Sequence, residues 1–177
     1  PHFGEGRPDH HRLDLAPLGE AEARSLAELA TEGHAELPRA ALEAAIHRSD
    51  GNPLFLEELV KALQERGGSE TEEENVPITL EGVLAARLDL CSEAEQAVLS
   101  RAAVVGRTFW EGALTAMGAS DDTPSALQSL RERGILLRRE ASQIPGDQEY
   151  LFKHALLRDA AYARIGRDKR AALHRAA

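Results

Sequence analysis

Gly51-Asn52-Pro53-Leu54-Phe55-Leu56-Glu57-Glu58-Leu59 decides how the rest of the chain is read. Gly and Asn tolerate the left-handed backbone that closes a helix C-terminus, so Gly51 and Asn52 read as the end of one helix. Pro53 stands where a new helix starts, because its fixed φ suits a first turn and its missing N–H is not needed there. Leu54, Phe55, Leu59 and Leu63, with Leu56 and Val60 alongside, give that helix, Pro53 to Arg66, a wide apolar face. The segment is a helix–turn–helix joint with a rigid corner, and its free N–H and C=O groups and flat proline ring suit a planar ligand such as a nucleotide base. The plainer alternative is a helix–helix turn with no ligand.

Two helices precede this one. Glu20 to Ala30 carries Ala21, Leu26, Leu29 and Ala30 on one side, with Glu20 and Glu22 favouring its N-terminus and Gly33 ending it. Leu37-Pro38 opens the second, which runs through Ile46 and His47 and turns Leu42, Ala45 and Ile46 inward. His47 could touch a phosphate or simply favour the helix dipole. Three short helices joined by brief turns make a small bundle. Ahead of them, residues 1–11 read as a loop whose His2, His10 and His11 lack ligand spacing, and Arg12 to Leu15 alternates as a short strand broken by Ala16 to Gly19.

Gly67 to Asn75 is a flexible acidic linker, too charged to pack. Beyond Val76-Pro77, Thr79 caps a helix through Leu88, and Ser92 with Glu95 forms a capping box ahead of a buried helix ended by Gly106. Phe109 and Trp110 lead a short helix through Leu114 and Met117; Pro124 opens another, ended by Gly134. Then the period changes. Ile135 to Arg139 and Glu149 to Lys153 are strand candidates around a turn with Pro145 and Gly146, and Glu149, Leu151 and Lys153 alternate with Tyr150 and Phe152. Helices followed by a hairpin give the order of a winged helix. Helix resumes at His154, burying Leu156, Leu157, Ala160 and Ala161, and a last helix starts near Asp168. The fold class is therefore mainly α: a small helical bundle, then a winged-helix domain with a short β-hairpin.

The 177 residues suffice for one domain or two small ones, and the abundance of Ala, Leu, Glu and Arg is a helical bias. A net charge of −9 and few Lys or Arg on any one helix argue against direct nucleic-acid binding. One cysteine, Cys91, excludes an internal disulfide framework and fits a reducing, cytoplasmic location. No apolar run is long enough to span a membrane. The chain begins at Pro1 and stops at Ala177 inside a helical pattern, so a piece of a larger protein is expected.

No Walker-type phosphate loop, nucleophile elbow, His-Glu-x-x-His helix or paired-cysteine metal pattern occurs, and no catalytic or metal-binding constellation is found. Cys91, between an apolar helix and Ser92, reads as a packed thiol. His154 lies where a strand turns into a helix. It could donate to an anion attracted by the helix dipole, or it could cap or pack within its own unit.

Four segments occur in order: Gly51 to Leu59, Val76 to Asp89, Ala102 to Phe109 and Tyr150 to Tyr162. Together they resemble the C-terminal half of the nucleotide-binding module of STAND-class signalling ATPases. The likeness is closest to bacterial predicted ATPases joined to class III adenylate cyclases, Ser/Thr kinases, or LuxR-type and activator-type transcription regulators. The resemblance implies an upstream P-loop core ending within residues 1–18, a lid over 19–68, a linker over 69–75, a winged helix over 76–165 and the start of helical repeats from 166. It implies a switch governed by ATP and ADP, with Pro53 packed on the adenine and Gly51 and Asn52 shaping that corner, and homo-oligomerisation on activation. His154 matches the histidine of a phosphate-contacting Met-His-Asp motif, but Lys153 and Ala155 replace its neighbours.

Overall fold

Helix punctuation in the sequence maps onto a mainly helical chain with a small antiparallel sheet; the computed structural model describes residues 15–31, 37–65 and 79–177. Its contacts fall into two units, Pro1–Glu73 and Glu74–Ala177. Residues 1–14, Gly33, Arg66 and the acidic linker with Val76-Pro77 lie outside the described residues, and Leu15 is exposed and has no regular structure.

The first unit contains α1 (Glu20–Thr31), α2 (Arg39–Ser49) and α3 (Pro53–Glu65), and both α1 and α2 pack on α3. α3 is the hub because apolar side chains cover most of its circumference: Phe55, Leu56, Leu59, Val60, Ala62 and Leu63 are all buried, and Leu54 is half-buried. α1 meets it through Ala23 and Ala27, one turn apart. This corrects the face read from the sequence: Ala21 is exposed and Leu29 is 61% exposed. Small residues at the contact let two helices approach, and the leucines are left at the margin. In α2, Ala45 and Ile46 are buried and Leu42 half-buried.

The second unit runs α4 (Leu80–Asp89), α5 (Glu93–Val105), β1 (Thr108–Trp110), α6 (Glu111–Ala116), α7 (Thr123–Glu132), β2 (Leu136–Arg138), β3 (Glu149–Phe152), α8 (Ala155–Ala163) and α9 (Arg167–Ala176). The caps are local. Thr79 Oγ1 accepts from Gly82 N at 3.1 Å, and Ser92 and Glu95 bond reciprocally as a capping box. The sheet order is β1-β3-β2, antiparallel throughout. Helix, strand, two helices and a hairpin whose second strand lies centrally make a winged helix, with β2 and β3 as the wing. The sequence expectation of a helix from Phe109 is corrected: Thr108–Trp110 pair with Leu151–Glu149, and helix begins only at Glu111. Thr and two aromatics suit a pleated surface once a partner is present, and the Phe109 ring stacks on Tyr150 with centroids 5.8 Å apart.

Glu149 departs from simple alternation. Its carboxylate is fully buried, accepting from Gln143 N at 2.8 Å and standing 3.2 Å from Arg139 Nε. Asp147 accepts from Gly112 N at 3.0 and 3.2 Å, so the wing loop is tied to the start of α6 as well. On α8, Leu157 and Ala161 are buried and Ala160 half-buried, while Leu156 is 37% exposed, contrary to expectation.

Three helices of this unit meet at buried charge. Arg87 Nη2 donates to Arg133 O at 2.7 Å and Arg133 Nη2 returns a bond to Arg87 O at 3.2 Å. Arg133 Nη1 lies 3.4 Å from Glu95 Oε2, and Ser129 donates to Glu95 Oε1 at 2.8 Å. α4, α5 and the end of α7 are thereby fixed to one another.

Burial opposes the Glu95 charge, but the Ser92 backbone N–H, the Ser129 hydroxyl and Arg133 outweigh it and hold the carboxyl below its ordinary value of 4.5. A depressed folded-state pKa contributes stability above the unfolded value, and that contribution is lost as the pH falls through the folded one. Glu95→Gln is therefore expected to melt below the parent chain at neutral pH, with the gap narrowing as the pH falls below 4.5. Equal melting temperatures at neutral pH would remove the Glu95 charge from the network.

Candidate functional site

The corner between α2 and α3 is built from two left-handed residues. Asp50 has φ 49° and ψ 41°, and Gly51 has φ 71°. The sequence assigned this conformation to Gly51 and Asn52; the structure gives it to Asp50 and Gly51. Asp and Asn both tolerate it, and Asn52 is needed elsewhere as the N-cap of α3. Its Oδ1 accepts from Phe55 N at 3.1 Å, its carbonyl accepts from Leu56 N at 3.0 Å, and its own N–H donates to Ser49 O at 2.9 Å.

Gly51 also lies under another part of the chain. Leu18 N donates to Gly51 O at 2.9 Å, and a Cβ on Gly51 would stand 2.6 Å from Leu18 O and 2.8 Å from Pro17 Cβ. The corner is therefore strapped by Pro17–Leu18, and its backbone groups at Gly51 O and Asn52 are committed within the protein. This corrects the picture of a corner with free backbone groups. What Pro53 presents is an exposed ring at the first turn of α3.

Beside the corner is a cleft of about 560 Å³, lined by Gly51, Asp50, His47, Ile46, Glu43, Glu20, Ala23 and the strap residues Pro17 and Leu18. Asn52 and Pro53 are not among its lining residues. Three carboxylate residues and one histidine line it. Glu43 is matched by Arg24, whose Nη2 lies 3.0 Å from Oε2. Hydrogen bonding to Arg24 holds the Glu43 carboxyl below its usual range and raises the Arg24 guanidinium. Glu20 also pairs with Arg24, its Oε1 3.3 Å from Nη2, and with Asp50 it leaves acceptor oxygens on the walls, which favours hydroxyl or N–H donors over phosphate. Among the described residues, no three His, Cys, Asp or Glu side chains are grouped to hold a metal ion.

His154 belongs to the second unit. The strand pairing ends beside it, where Lys153 N donates to Ile135 O at 3.0 Å. His154 is then the N-cap residue of α8, with φ −126° and ψ 142°, its carbonyl accepting from Leu157 N at 3.1 Å. Its side chain does not cap the helix and is half-buried. The first turn of α8 itself carries no acidic residue to offset the helix dipole. Gly51, Asn52 and Pro53 thus form one corner of the first unit, and His154 opens a helix of the second. Sequence reading missed the Pro17–Leu18 strap and the contributions of Glu20, Glu43 and Asp50. A Pro-Leu-Gly run just before a helix hints at a bend, but its partner lies far along the chain.

No protein-family model, curated protein or solved structure matches this chain.

The three corner residues separate by stability. Gly51→Ala is expected to cost about 1–3 kcal/mol, from a left-handed non-glycine and a collision with backbone at Leu18. Asn52→Ala should cost about 1 kcal/mol through the lost cap. Pro53→Ala, at an exposed position, should stay within about 0.5 kcal/mol of the parent. Thermal or urea unfolding of the three variants checks the order, and a neutral Gly51→Ala would contradict the strapped corner.

Proposed function

We propose that this chain is the lid and winged-helix portion of a nucleotide-dependent signalling switch of the STAND class, closing over ADP or ATP held on an upstream P-loop core. The observation that carries this reading is the Gly51 corner. A glycine with no room for a side chain, fixed by a strap from before α1, sets an exposed proline ring at the head of the most buried helix of its unit. Two further features support it. The segment series from Gly51 to Tyr162 follows the order of such modules, and His154 stands after the wing at the N-terminus of a helix whose first turn has no acidic residue. Under this reading Pro53 packs on the base, Gly51 and Asn52 set the corner, and His154 faces the phosphates. The acidic cleft beside Gly51 suits a ribose or a base N–H.

ADP joined to core, lid and winged helix holds the protein closed. Exchange for ATP releases the winged helix, because a ligand shifts a two-state equilibrium only by its differential affinity for the two states. The parent protein signals or assembles in the released state, carries a cyclase, kinase or regulator output, continues into helical repeats after α9 and works in the cytoplasm. No helix among the described residues is long and apolar enough to cross a membrane.

A DNA-binding winged helix is the competing reading, and the overall charge does not weigh against it as the sequence total suggests. Residues 1–73 hold 7 Lys or Arg against 16 Asp or Glu, while residues 74–177 hold 14 of each, so the whole net charge of −9 sits in the first unit. The surface of α7, the helix that would enter a groove, does weigh against it. Asp121 and Asp122 precede its exposed positions Pro124, Ser125, Gln128, Arg131 and Glu132, which leaves no basic stripe for phosphates.

Calorimetric titration tests the proposal. The 177-residue chain alone should bind ADP and ATP weakly or not at all. With the upstream core attached, ADP should bind, and Pro53→Ala and His154→Ala should each weaken it by about ten-fold or more, which is about 1.4 kcal/mol. Micromolar ADP binding by the chain alone, or unchanged affinity in both variants, would overturn the reading.

A further inference from the structure

A cavity of about 430 Å³ lies between α4, α5, α8 and the turn into α9, within the size range of small-molecule sites. Its floor is apolar, formed by the buried side chains of Leu88, Leu99, Ala161 and Ile165. Its rim is polar, and most of the rim is already committed. Gln96 Nε2 donates to Cys91 O at 2.9 Å, and Ser100 Oγ donates to Gln96 O at 2.7 Å. Arg164 is ion-paired with Asp89 and donates to Ala85 O at 3.0 Å.

Lys169 is different. Its ammonium reaches Ser100 Oγ only at 3.5 Å, and among the described residues no carboxylate stands within ion-pair distance of it. Of the lining side chains two, Arg164 and Lys169, are cationic and none is acidic, while Asp89 pairs with Arg164. A half-enclosed apolar floor with an ammonium and a guanidinium at its mouth matches one ligand chemistry, an apolar body ending in an anion.

We propose that this cavity binds an amphiphilic anion, its short apolar body on the floor and a carboxylate or phosphate head between Lys169 and Arg164. Lys169 belongs to α9 and the floor to α4, α5, α8 and the turn after α8, so the ligand would fasten α9 to the rest of the unit. α9 has no fully buried residue; it packs on the core through the half-buried Leu173 and is otherwise held by polar and ring contacts. The Arg170 guanidinium lies 4.5 Å from the centre of the Tyr162 ring and donates to Ile165 O at 2.9 Å, and the Tyr162 hydroxyl lies 2.9 Å from His174 Nε2. An anion bound in the cavity adds one further tie between α9 and the rest of the unit. The site lies wholly within the second unit, so it stands or falls apart from nucleotide binding.

The 177-residue chain is titrated with octyl phosphate and with octanoate, below their micelle concentrations, and amide shifts are followed by NMR. Octanol and inorganic phosphate serve as the body-only and head-only controls. At least one of the two amphiphiles should shift Gln96, Ser100 and Lys169 and bind about ten-fold or more tighter than either control. Preference for octyl phosphate identifies a phosphate head, and preference for octanoate a carboxylate head. Lys169→Met, at an exposed position that leaves the core intact, should weaken binding by about ten-fold, and Lys169→Arg should retain it. Octanol or inorganic phosphate binding as tightly as both amphiphiles, or Lys169→Met binding as well as the parent, would overturn the proposal.

Discussion

A missing side chain at Gly51 is the constraint on which the first unit turns. The residue sits at φ 71°, directly under the backbone of Leu18, where any Cβ would overlap a carbonyl oxygen. That close approach allows the strap, the strap fixes the entry to α1, and α1 then lays Ala23 and Ala27 on α3. The turn also delivers Asn52 to the head of α3, where its side chain satisfies a first-turn donor. One backbone conformation therefore sets the direction of all three helices and leaves Pro53 outward.

The second unit depends on buried charge rather than on a missing atom. Arg87 and Arg133 each bond the other's carbonyl, and Glu95 closes the set while also capping α5. Burying such groups is unfavourable unless every partner is present, so the arrangement enforces one mutual placement of α4, α5 and α7. The apolar core under it, including Leu127, Leu130, Phe109 and Phe152, carries the sheet, and the sheet carries the wing. The same frame ends β3 at Phe152 and starts α8 at Ala155, with His154 as its N-cap residue.

Much of this was legible because helix ends are written locally. Thr79, the Ser92–Glu95 box, Pro53 and the glycine at position 106 each mark a boundary through bonds to residues within a turn, and the structure places the helices accordingly. Features that depend on distant partners were not legible. β1 has three residues and exists only because β3 offers an edge. Glu149 is buried because Gln143 and Arg139 come round to meet it. At the candidate site, the glycine corner and the strand-to-helix position of His154 could be read. The exchange of roles between Asp50 and Asn52 could not, since both residue types tolerate left-handed backbone. The strap could not either, since nothing near Pro17 names its partner.

The proposed switch requires the exposed Pro53 ring to lie against the base of a bound nucleotide. The most direct test is photolabelling of the protein carrying its upstream core with 8-azido-ADP, followed by peptide mapping. The account predicts label on the peptide containing Gly51 to Leu59, competed away by ADP. Label confined to other peptides, with none on that corner, would contradict it.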